Sequence, residues 1–124
     1  MKPGFVGWAL DREEREVLLR RFPPRYPNVV ADHVTLKFGD REVELPTATA
    51  GEIVGESDDG IGVQALVVRI DGTTDRPDGS TYHITWSLLA ERQAKESNDV
   101  IARLGWRALE APVALRLEPS AYPR

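Results

Sequence analysis

Apolar positions along this chain recur with two different periods, and the elements follow from them. GFVGWAL at 4–10 is apolar and rich in β-formers, so it reads as a strand. DREEREVLLRRF at 11–22 changes to the helical period, with Leu10, Val17, Leu18 and Phe22 on one side. Asp11 followed by Glu14 has the spacing of a capping box, and the prolines of PPRYP at 23–27 stop the helix. VVADHVTLKFG at 29–39 alternates strictly: Val34, Leu36 and Phe38 point one way, His33, Thr35 and Lys37 the other.

REVELP at 41–46 reads as a short strand or turn. TATAGEIVGESDD at 47–59 and GVQALVVRIDG at 62–72 read as two hairpin strands around the turn residues SDDG. TTDRPDGS at 73–80 is a polar loop. TYHITWSLLA at 81–90 is a strand with His83 and Thr85 on one face and Ile84, Trp86 and Leu88 on the other. SNDVIARLG at 97–105 reads as a helix with Ser97 as N-cap and Gly105 as its stop, and APVALRLEP at 111–119 as a last strand before a loosely held SAYPR. Antiparallel strands with helices packed on one side make an α+β fold, and 124 residues fit a single domain spanning 1–124.

The two histidines of the chain stand in nearly the same setting, HVTL at 33–36 and HITW at 83–86. With seven threonines in the chain, composition alone would place both histidines two before a threonine about once in 300. If the strands lie near each other, two imidazoles and two hydroxyls converge on one patch. That set suits attack at phosphorus, with one neutral imidazole as base, the other protonated as acid, and threonine hydroxyls holding phosphate oxygens.

Composition narrows the ligand. The net charge is −4, against the basic surface that binding long nucleic acid needs. A small anion, or the end of an RNA, is the better match. Thirteen of the sixteen basic residues are arginine, which GC-rich coding explains as readily as phosphate binding. Without cysteine there is neither a disulfide nor a thiolate metal site. Two histidines fall short of the three or four ligands zinc wants, and SDDG is short of a calcium loop. No cofactor is expected. MKPGFVGWAL is too short for a signal peptide or a membrane helix, so the expectation is a cytoplasmic monomer with no membrane partner.

HVTL and HITW resemble the paired H-x-T-x signatures of the 2H phosphoesterase superfamily, and HVTLKFG is similar to the first signature of its LigT-like RNA 2′,3′-cyclic phosphodiesterase branch. The resemblance implies a two-lobed α+β fold with antiparallel sheets, helices packed outside and the H-x-T motifs on central strands lining a groove. It implies metal-independent hydrolysis of a 2′,3′-cyclic phosphate on a nucleotide or RNA end, or of a related 2′-linked cyclic phosphate, to a 2′-phosphomonoester. It makes His33 and His83 catalytic and gives Thr35 and Thr85 the phosphate. The alternative is a module that binds the same nucleotide or RNA end without turnover. The histidines stand 50 residues apart in a short chain for this family, leaving fewer loops to define a substrate.

Three further residues are candidate substrate contacts. Lys37 shares the alternation face of His33 and Thr35, and Arg25 and Tyr26 lie in the PPRYP loop, where Tyr26 could stack on a base. Phe5, Trp8 and Trp86 are read as core, Tyr82 likewise, and DREERE as a solvated helix face.

Overall fold

The computed structural model describes residues 4–39 and 44–122. Strand β1 (Gly4–Leu10) leads into helix α1 (Arg12–Arg21), and Asp11 caps that helix by accepting from the Glu14 backbone N–H at 2.9 Å. The reciprocal half of the capping box is not made. The Glu14 carboxylate instead accepts from the backbone N–H of Arg116 at 2.6 Å, tying α1 to the last strand.

The segment expected as one strand over 29–39 is two: β2 (Asn28–Val29) and β3 (His33–Gly39). Between them Ala31 takes a positive φ of 41°, a conformation an alanine holds only when its surroundings impose it. Here Arg15 of α1 imposes it. Its guanidinium donates to the Ala31 carbonyl at 2.7 Å and to the Val30 carbonyl at 3.3 Å.

The hairpin is β4 (Ala50–Asp58) and β5 (Val63–Arg69), followed by β6 (His83–Leu88), helix α2 (Glu96–Leu104) and a 16-residue β7 (Arg107–Tyr122). β7 is longer than the apolar pattern suggested, and Ser120 to Tyr122 of the supposed tail pair with β1. Of the 41–46 expectation, 41–43 lie outside the described residues, and Glu44 to Pro46 form no strand. Ser97 is not the N-cap of α2. The helix begins one residue earlier, and Ser97 is buried within its first turn.

All seven strands form one antiparallel sheet in the order β2-β6-β5-β4-β7-β1-β3. β7 pairs with β4 through its first part and with β1 through its second. The opposite side is built likewise. Val30 and Ala31 donate to the Trp86 and Thr85 carbonyls of β6, and Leu10 of β1 donates to Asp32. The two outermost strands, β2 and β3, are therefore joined by only Val30, Ala31 and Asp32, so the sheet wraps round until its ends meet. β3, expected at the centre, is an end of the strand order.

The main core lies inside this wrap. Trp8, Leu18, Val34, Ile53, Leu66, Ile84 and Trp86 are at most 3% exposed. The two indole N–H groups are satisfied by the carbonyls of Ala48 (Trp8) and Phe22 (Trp86). The helices do not share a side. Leu18 of α1 packs with Leu66 and Val68, whereas Ile101 of α2 packs with Val54, Ala65 and Val67. β5 is thus covered on both faces, which is why VQALVVR lacks clean alternation.

Candidate functional site

Each H-x-T motif ends in a β-bulge. In β3, Thr35 faces Gly7 and Lys37 faces Val6, leaving Leu36 as the extra residue. In β6, Thr85 faces Ala65 and Ser87 faces Gln64, leaving Trp86 extra. A bulge reverses the alternation beyond it. Phe38 therefore returns to the face of His33 and Thr35, and Lys37 leaves it. Gly7 makes room for the first bulge. A Cβ there would stand 3.0 Å from Thr35 Cα and from Leu36 N, and would strike the Val34 carbonyl oxygen.

His33, Thr35, His83 and Thr85 all line one cavity of about 190 Å³. Phe5, Phe38, Arg76, Ala94, Lys95 and Asn98 complete its wall. Arg76 and Lys95 are its charged lining residues, both cationic, in a chain of net charge −4.

His83 is held by its Nδ1, 2.8 Å from the Thr81 carbonyl. A carbonyl only accepts, so Nδ1 carries the proton and the lone pair of the neutral ring is on Nε2. Burial pushes the His83 pKa below the ordinary histidine value, and the positive charges of Arg76 and of a protonated His33 push the same way, against the Thr81 bond. His83 is thus a neutral imidazole near pH 7.

His33 has a different partner. Its Nδ1 lies 3.1 Å from the Asp32 carboxylate, which also takes a bond from Arg12 at 3.4 Å. Phe5 stacks on the His33 ring with centroids 4.9 Å apart and planes 28° apart. Phe5, read as core, is in fact cavity wall. Trp8, Tyr82 and Trp86 are buried as expected.

The threonines also differ. The Thr85 hydroxyl donates to the Ala94 carbonyl at 3.2 Å and lies 2.8 Å from the Ser97 hydroxyl, so α2 is fastened to β6 directly beside His83. No such bond engages Thr35 among the described residues.

The other three candidates lie elsewhere. Lys37 lines a neighbouring cavity with Leu36, Phe38, Pro77 and Asp78. Arg25 pairs with Asp58 at 2.8 Å and lines a cavity with Glu56, Trp106 and Arg107. The Tyr26 hydroxyl donates to Asp58 at 2.6 Å, and burial and that carboxylate raise its pKa. The PPRYP loop is fastened to β5 and β6 through Gln64 and Ser87, away from the histidines.

Sequence reasoning missed Phe38, Arg76, Lys95 and Asn98. Phe38 was hidden by the bulge. Arg76 sits in a polar loop that looked solvated, yet it is 3% exposed. Among the described residues no three His, Cys, Asp or Glu side chains are grouped to hold a metal ion, and no helix is long and apolar enough to cross a membrane. No family model matches the chain, and neither curated proteins nor solved structures give a match.

Proposed function

We propose that this protein is a metal-independent phosphodiesterase that opens a 2′,3′-cyclic phosphate on a nucleotide or RNA end, in the manner of the 2H phosphoesterases it resembles. One observation carries the reading: both histidines and both threonines of the two motifs line a single cavity. Its cationic wall favours an anionic ligand.

Neutral His83 is the base. Its Nε2 takes a proton from water as the water oxygen bonds to phosphorus. The bond from phosphorus to the 3′ oxygen breaks, and protonated His33, paired with Asp32, gives that oxygen its proton. The product is a 2′-phosphomonoester. Thr35 holds a non-bridging oxygen, and Arg76 and Lys95 offset the charge that gathers on the phosphoryl group.

A second reading, recognition of the same phosphate without turnover, is favoured by one contact. The Thr85 proton is spent on Ala94, which leaves that hydroxyl nothing to donate to phosphate.

Incubating the protein with nucleoside 2′,3′-cyclic phosphates in excess chelator separates the readings. The expected result is a 2′-monophosphate product, with circular dichroism showing His33→Ala and His83→Ala folded but inactive. Binding without any product would establish the second reading. Hydrolysis that stops in chelator and returns with a divalent ion would replace the two-histidine mechanism by metal-assisted attack.

A further inference from the structure

Two buried side-chain atoms among the described residues have no hydrogen-bond partner: Nε of Arg76 and Oδ1 of Asn98. Both belong to side chains that line the histidine cavity. Buried donors and acceptors in folded proteins are nearly always paired, and each exception needs a cause. Here a donor and an acceptor are left over on two residues of the same cavity wall, one on the loop before β6 and one in the first turn of α2.

Arg76 is the stronger case. Its side chain is 1% exposed, and its carboxylate partner among the described residues is Asp78, at 3.2 Å, whose own side chain is 57% exposed. The guanidinium carbon stands 5.4 Å from the ring centroid of Phe38, which flanks the same cavity. A guanidinium that is buried without full pairing is costly. A bound phosphate would supply the missing acceptor, and arginine suits phosphate because its planar fork matches the oxygens. Asn98 asks for the opposite. Its oxygen needs a donor, which the fully ionised phosphate group of a nucleotide lacks and a sugar hydroxyl has.

We propose that Arg76 and Asn98 recognise the ligand of this cavity, Arg76 donating from Nε to a phosphate oxygen and Asn98 accepting from a hydroxyl of the attached sugar. The ligand class is then a sugar phosphate such as a nucleotide: an unphosphorylated nucleoside gives Arg76 no phosphate oxygen, and inorganic phosphate brings no sugar hydroxyl to Asn98. This rests on the reading of the cavity as a phosphate site, but binding needs no turnover. Asp78 accepts from Nη2 of the guanidinium and leaves Nε for the phosphate, while its negative charge opposes an anion bound beside it.

Isothermal titration of the full chain with inorganic phosphate, adenosine and adenosine 2′-monophosphate tests the pair. Arg76→Gln should weaken both phosphate and the nucleotide by about tenfold or more, the loss of one charge-assisted bond. Asn98→Ala should weaken the nucleotide several-fold and leave inorganic phosphate unchanged. Asp78→Asn keeps an acceptor for Ser80, which Asp78 now bonds at 2.9 Å and 2.6 Å, and should tighten phosphate by removing a negative charge beside Arg76.

Equal nucleotide affinity in folded Arg76→Gln and wild type overturns the arginine contact. Equal losses for phosphate and nucleotide in Asn98→Ala overturn the sugar contact. Should Arg76→Gln fail to fold, unchanged or weaker phosphate binding in Asp78→Asn overturns the arginine contact instead. A wild-type chain that binds none of the three probes overturns the proposal whole. Turnover of cyclic nucleotides with Arg76-independent binding removes this proposal alone, and Arg76-dependent binding without turnover removes the hydrolase reading alone.

Discussion

His33 and His83 carry the same motif and the same following bulge on strands of unlike setting. β3 is an end of the sheet order and rests on β1. β6 lies between β2 and β5 and is fastened to α2 by Thr85 and Ser97. His33 is oriented by a carboxylate, His83 by a backbone carbonyl. A carboxylate partner pairs with a charged imidazole, whereas a carbonyl only fixes the tautomer of a neutral one. Two copies of one pattern are thereby held by unlike partners, as the proposed division into acid and base requires. The motif places the groups, and their neighbours set them apart.

The largest effects should separate the two rings by role. General acid or base assistance is worth about 10² to 10⁴ in rate, so His33→Ala and His83→Ala should each lose that much on cyclic nucleotides. With bis(p-nitrophenyl) phosphate the leaving group needs no proton. His33→Ala should then recover most of its relative rate while His83→Ala stays impaired. Recovery by His83→Ala instead would exchange the two roles.

The bulges break the comparison from the structural side. Trp86→Ala empties a fully buried site and should cost about 3–5 kcal/mol in chemical denaturation. Gly7→Ala cannot be accommodated without moving the backbone at Thr35 and should cost about 1–3 kcal/mol. Activity should fall beyond what stability explains in Gly7→Ala, because His33 and Phe38 shift with the bulge. Normal activity in a destabilised Gly7→Ala would show that the bulge serves packing alone.

The threonines sharpen the difference. Thr35→Ala should lower kcat by the equivalent of about 2–4 kcal/mol of transition-state stabilisation at little cost in stability. Thr85→Ala should do the reverse, losing about 1 kcal/mol of stability with the Ala94 and Ser97 bonds and less rate. Matching kinetic losses in both variants would mean that the Thr85 hydroxyl turns to the ligand during reaction.

The smallest effect is a pH dependence of stability. The folded pKa of His83 is lowered, so the unfolded chain takes up a proton first as pH falls through the ordinary value of 6.5. Stability should be full above that value and decline below it, until the folded protein is protonated as well. His83→Gln should flatten this part of the curve. An identical slope in wild type and variant would assign the decline to other groups.

Much of this site was legible in the chain, and the rest was hidden for identifiable reasons. The two H-x-T strands, α1 with its Asp11 cap and the hairpin of β4 and β5 follow from local periodicity. So does the shared face of His33 with Thr35 and of His83 with Thr85. Alternation failed at Leu36 and Trp86, since a bulge depends on the partner strand and has no local mark. That failure exchanged Phe38 for Lys37. Arg25 and Tyr26 were judged by loop chemistry, but the carboxylates that hold them, Glu56 and Asp58, are about thirty positions away. Arg76 and Asn98 acquire their meaning only when distant elements close around a cavity. The helices fell on opposite faces because β5 is apolar on both, a pattern that alternation alone cannot assign to a side.

The partnership of β1 and β7 has a consequence for how the protein reaches this state. Phe5 pairs with Tyr122 and Leu10 with Leu117, neighbours more than a hundred residues apart along the chain. β1 in turn carries β3, so the first histidine has its position only once the last strand is in place. Closing so long a loop must precede the contacts that reward it, which makes for slow and cooperative folding. The same adjacency brings the outer ends of β1 and β7 side by side. A short linker joining them would turn this pairing, the most distant in sequence among the described strands, into a hairpin.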